Sequence, residues 1–245
     1  MGFLDFLGGS SPEKAMKLKA KVTQKYGDPA SRQKAIQQLE KMDFPEATAA
    51  LLARFTINVE PQTTDLDEKE HVFELVRGKG EKAVGPVLDF LKRSDSASSW
   101  ALRLLTELVP EETLVGIISD YLIHLGTQYM RNPEKKIVLL QFVAERDDPR
   151  IAPVLTPFLD DMSDDVKIAT LRALGSKKHE EAREPMLKVL TAPETAKRVQ
   201  TSAIVALSDS GFGVQGFREK VEALLSEPYF VDKSGVIKKR GAAEA

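Results

Sequence analysis

The chain contains no cysteine, so neither a disulfide framework nor a thiolate ligand or nucleophile is available to it. Aromatic residues make up only 7% and include a single tryptophan, Trp100. No apolar run approaches the roughly 18 residues of a membrane-spanning helix. No basic start with a long apolar centre marks a secretory signal, and a cytoplasmic location is expected. A large charge of one sign is also missing, because 35 Lys and Arg face 37 Asp and Glu for a net charge of −2. A nucleic-acid-binding domain ordinarily carries a marked basic excess, so no nucleic-acid partner is expected. His71, His124 and His179 are scattered and show no i, i+4 histidine pair, which argues against a metal site. Asp160, Asp161, Asp164 and Asp165 lack the spacing of a calcium loop and read as helix-end carboxylates. No Gly-rich loop follows a strand, so no cofactor is expected.

The chain does contain a repeat. Between Asp147 and Asp209 one unit occurs twice: a Pro-containing apolar helix, a short polar turn, then a helix of the form V-x-x-small-x-x-x-A-L. Val166, Ala169, Ala173 and Leu174 recur as Val199, Ser202, Ala206 and Leu207, each 33 positions on. Upstream, Gly85-Pro86 stands where Ala152-Pro153 and Glu184-Pro185 stand, and Arg103, Gln141, Arg172 and Val205 fall on equivalent positions with steps of 38, 31 and 33. The longer step coincides with an insertion from Gly126 to Asn132, where Tyr129 and Met130 interrupt a polar turn. A first copy is legible from Ala30 to Phe55 and a degenerate second helix from Asp67 to Lys79, with a long polar loop between Phe55 and Asp67. Apolar residues at i, i+3, i+4 and i+7 put a stripe on each helix that a lone helix leaves in water. Helix starts are marked by Pro45, Pro133 and Pro149 and by Ser163-Asp164-Asp165, a cap oxygen followed by two carboxylates. Pro86, Pro153 and Pro185 lie about one turn inside their helices and should bend them.

The run D-D-V-K-x-A-x-L-R-A-L-G from Asp164 to Gly175, preceded by a Pro-bent helix, resembles a short bacterial HEAT repeat of the type also seen in phycobilin-lyase-like proteins. The tetratricopeptide signature of Trp, Gly, Tyr and Phe is absent. The resemblance implies an all-α fold, a right-handed α-solenoid of about five to six HEAT-like helical hairpins. Three segments are expected: residues 1–27 as an apolar peptide and basic capping helix, 28–228 as the solenoid, and 229–245 as a flexible tail. It also implies a scaffold or adaptor without catalytic residues, whose second helices line a concave surface. On that surface Arg103, Lys136, Gln141, Lys167 and Arg172 form a mildly basic groove suited to an acidic protein partner.

Two alternatives arise from other stretches. Phe3, Leu4, Phe6 and Leu7 form an apolar peptide, followed by a helix on which Lys14, Lys17, Lys21 and Lys25 make a basic line. Residues 13–41 hold eight basic against three acidic side chains, a net +5. Such a segment caps the array or docks weakly on an anionic membrane face or a partner. The second alternative is a resemblance to HEAT-like DNA glycosylases, which rests on Trp100 and Arg103. That chemistry also needs an Asp converging with them, and none lies one helical turn from Trp100, so Trp100 reads as a core residue.

Overall fold

Proline and short polar side chains set the helix starts. Pro12, Pro29 and Pro45 each open a helix, where the missing N–H costs no hydrogen bond. The Ser11 hydroxyl accepts from the Lys14 N–H at 3.2 Å, and the Asp28 carboxylate accepts from the Ala30 N–H at 3.0 Å. A computed structural model describes residues 11–241 of the chain. The chain divides into two units between Leu114 and Val115.

In the first unit α1 (Pro12–Val22), α3 (Pro45–Leu52) and α5 (Glu81–Arg93) lie side by side in one layer, and α2 (Pro29–Glu40), α4 (Gln62–Arg77) and α6 (Ser98–Leu108) form the other. Each first-layer helix packs against the next helix in sequence, giving three hairpins. Leu39, Leu51, Leu52, Val72, Val87, Leu104 and Leu105 fill the space between the layers. The stretch expected as a long loop after Phe55 is shorter than that. A 3-10 turn occupies Ala53–Thr56 and α4 already begins at Gln62, one turn earlier than its sequence suggested.

The division falls inside α7 (Glu111–Leu125), which buries Leu114, Val115, Ile118 and Leu122 along one face. In the second unit α8 (Glu134–Ala144), α10 (Asp164–Lys177) and α12 (Lys197–Ser210) stack as one layer. The opposite layer holds α9 (Ile151–Leu155), which passes into a 3-10 segment at Thr156–Asp160, then α11 (Arg183–Thr191) and α13 (Arg218–Leu224). Pro153 and Pro157 lie in the segment that changes from α to 3-10 geometry, as a ring without an N–H requires. Ser163 makes no side-chain cap to α10; the Asp161 carboxylate accepts the Ser163 N–H instead, at 2.8 Å. The fold is all-α, helical hairpins in two layers within each unit, as an α-solenoid builds them. No described helix is long and apolar enough to cross a membrane.

The C-terminal stretch expected to be flexible is structured through Gly241. Strands β1 (Tyr229–Val231) and β2 (Ile237–Lys239) pair antiparallel, with Val231 opposite Ile237. Asp232 holds the turn by accepting from the Ser234 N–H, the Ser234 hydroxyl and the Val236 N–H at 2.6 to 3.0 Å, and Gly235 supplies the positive φ of 82°. Ile237 is fully buried and β2 packs on α12, so the hairpin closes the apolar face of that helix. Residues 242–245 lie outside the described chain.

The tightest contact between neighbouring helices is that of α10 with α12. A Cβ added at Gly175 lies 2.9 Å from the Ala206 Cα and 3.0 Å from its Cβ, closer than packed carbons approach. Gly175→Ala therefore sets a helix-propensity gain of about 0.5–1 kcal/mol against an overpacking cost of about 1–3 kcal/mol. The expected result is a net loss of stability, read as a lower urea midpoint.

Candidate functional site

On α8, α10 and α12 the face away from the opposite layer (α9, α11 and α13) carries positions that repeat along the sequence. Gln141 and Arg172 are exposed, Val205 is 36% exposed, and Ile137 and Ile168 are half-buried. Lys167, five positions before Arg172 and so about 140° round α10, is half-buried in a groove with Pro157, Pro185 and Val199. Among the described residues Lys167 and Arg172 make no ion pair. The other arginine of α10 and α12 is committed: Arg198 binds Asp164 at 3.1 Å and Asp165 at 2.5 Å, tying α12 to α10.

Lys136 departs from the expected groove. It is 0% exposed, and its ammonium donates to the Asp161 carboxylate and the Gln128 carbonyl, both at 2.7 Å, with the Phe158 ring 6.0 Å away. Lysine at the equivalent positions 136 and 167 thus has opposite surroundings. The cause is Asp161, which stands at the end of the 3-10 segment and draws the first lysine inward. Asp161 itself, taken from sequence as one of several helix-end carboxylates, is buried with it.

Arg103 belongs to the first unit, apart from the other four predicted groove residues. It is about half-exposed, and its guanidinium grips Glu70 with two bonds of 2.6 and 2.9 Å. It also lies over the Phe73 ring at 4.2 Å and the Trp100 ring at 5.2 Å. Trp100 is half-buried and stacks on Phe55 with ring centroids 4.8 Å apart. Arg103 is thereby occupied by its own neighbours.

The same unit encloses an ion-pair network that the sequence reading missed. Arg32 donates to Glu68 through two bonds of 2.7 and 2.8 Å, and Arg54 donates to Glu68 at 2.8 Å and to Asp65 at 2.7 Å. Lys69 donates to Asp65 and to the Asn58 side chain, both at 2.7 Å. All five ionised groups are at most 5% exposed, and Arg54 is fully buried. The remaining donors reach the Gln24 and Ile57 carbonyls, and Asp65 also accepts the Val59 N–H at 3.0 Å. Burial raises the Asp65 carboxyl, but bonds from Lys69, Arg54 and Val59 outweigh it and hold it below the usual carboxylate range. Glu68 behaves alike, burial being outweighed by Arg32 and Arg54. A signal was present in the sequence. Asp65, Glu68 and Lys69 stand at i, i+3 and i+4, on the stripe that Val72, Phe73 and Val76 continue at i+7, i+8 and i+11.

Residues 152–237 match the family model described as HEAT repeats, and this is the stretch that holds α10–α12 and their register. This part of the chain is a HEAT-repeat array. The matched stretch includes Lys167 and Arg172; Arg103, Lys136 and Gln141 lie outside it. No curated protein matches the chain. A solved structure of human deoxyhypusine hydroxylase in complex with glycerol aligns at 12% identity over 87% of this chain and 93% of that one, with a TM-score of 0.34.

Outside the HEAT repeats, α1 buries Ala15, Leu18 and Val22 and exposes Lys17, Lys21 and the neighbouring Lys25, while Lys14 is half-buried. Phe3, Leu4, Phe6 and Leu7 lie outside the described residues. Among the described residues no group of three His, Asp or Glu is placed to hold a metal ion.

Removing one member of the buried network leaves an opposite charge stranded, so Glu68→Gln should cost about 3–5 kcal/mol in urea unfolding. The carboxyls of Asp65 and Glu68 are lower in the folded than in the unfolded chain. Their contribution is therefore complete above the unfolded value of about 4 and lost as pH falls through the folded values. Wild-type stability should drop steeply below about pH 4, and Glu68→Gln should flatten that drop.

Proposed function

We propose that the chain is a non-enzymatic scaffold or adaptor that binds an acidic protein segment along the exposed face of α10 and α12. The carrying observation is Arg172, which makes no ion pair among the described residues although Arg198, the other arginine of these helices, is paired. Ile168 lies beside it half-buried and Val205 faces outward from α12. A free cation beside partly exposed apolar side chains suits a segment in which carboxylates alternate with apolar residues. The guanidinium offers a bidentate site for one carboxylate, and the apolar side chains supply buried area. The curvature and variable outward positions of helical-repeat arrays fit this use. Arg103 and Lys136 take no part in it, being held by Glu70 and Asp161.

The test is affinity purification with the full chain, followed by titration of the recovered partner against the wild type and Arg172→Glu. The reversal should weaken binding by at least about tenfold, or about 1.4 kcal/mol, and added salt should weaken the wild-type complex. Equal affinity for both proteins would remove this face from consideration.

A further inference from the structure

A trench of about 710 Å³ runs over α3, between α1 and α5 of the first unit. It exists because small residues line α3 and the turn after it: Pro45 and the exposed Ala49 of α3, with the buried Ala53 that follows, form its floor at i, i+4 and i+8. Thr23 of α1 stands on one side, and Pro86 and the half-buried Phe90 of α5 on the other. The volume is in the range of pockets that bury a compact apolar ligand, roughly 300–1,000 Å³. Its rim is charge-balanced, with Lys19 and Arg93 against Glu46 and Asp89, which favours an occupant of little charge.

We propose that the trench receives the chain's own apolar segment from Phe3 to Leu7, which lies outside the described residues. Phe3, Phe6 and Leu7 have the i, i+3, i+4 spacing of anchors that enter an apolar groove, and the segment has a single charged side chain, Asp5. Reach agrees with this. The described chain starts at Ser11, and Lys19 and Thr23 lie about 12 and 18 Å further along α1 at 1.5 Å per residue. The four residues from Leu7 to Ser11, extended, span about 13 Å, and a helical turn from Phe3 to Leu7 adds about 6 Å. Gly8 and Gly9 give the backbone the freedom to reverse direction between the two. Docking the segment hides four large apolar side chains and covers the small-residue floor, at the ordering cost of a few residues only.

The absence of cysteine makes disulfide trapping in the full chain a direct test. Leu7→Cys with Ala49→Cys should form an intramolecular disulfide under mild oxidation, and Leu7→Cys with Asp67→Cys, on the other layer, should not. Gly85→Trp fills the trench from α5, where an added Cβ meets nothing within 4 Å, and should abolish the disulfide of the first pair. Equal linking in both pairs, a predominance of linked dimers, or no effect of Gly85→Trp would each overturn the proposal. A second reading needs no cysteine: Phe3→Ser/Phe6→Ser/Leu7→Ser should raise the fluorescence of an added hydrophobic dye by uncovering the trench, and unchanged dye binding would also overturn it.

Discussion

Within each unit a helix carries more apolar surface than its hairpin partner covers, so one hairpin depends on its neighbour. α10 shows the constraint most clearly. Val166, Ala169, Leu171, Ala173 and Leu174 are all buried, on a surface too wide for one neighbour. α8 takes one flank, α12 the other, and the 3-10 segment Thr156–Asp160 the base. The small residues Ala169, Ala173 and Gly175 let α12 come close enough for van der Waals contact along its length. Stability of such an array is a sum of neighbour contacts rather than the property of one central core.

The first unit meets the same constraint with different chemistry. Where α2, the Ala53–Thr56 turn and α4 converge, charged side chains replace aliphatic ones, and Arg54 sits at the centre of a network of five ionised groups. Desolvation of so many charges is offset because nearly every donor finds a carboxylate or a carbonyl. A planar guanidinium with two carboxylates has few acceptable arrangements, whereas leucines have many. Arg54, in the 3-10 turn, bonds Asp65 and Glu68 of α4 and so ties the irregular α3–α4 junction to that helix.

The repeat was legible in the sequence because it rests on spacing, and spacing survives in a single chain. Val166, Ala169, Ala173 and Leu174 announced a buried face, and the structure buries them. The start of α4 was missed because Gln62 to Lys69 is polar, and polarity was read as exposure; the partners Arg32 and Arg54 lie too far off in sequence to be seen. The same blindness misplaced Lys136, whose environment depends on Asp161 from the next repeat, 25 positions away. The C-terminal hairpin escaped notice because three-residue strands leave almost no alternation to detect, although Asp232 and Gly235 bracket a turn. Arg103, Gln141 and Arg172 are exposed, yet exposure does not reveal that Glu70 already holds Arg103.

The ammonium of Lys136 joins the turn carrying Gln128 to the one carrying Asp161. The effects of substitution at these positions are accordingly coupled. Replacing the lysine alone would strand a carboxylate in the interior, and replacing the aspartate alone would strand an ammonium, whereas joint exchange for aliphatic residues leaves neither.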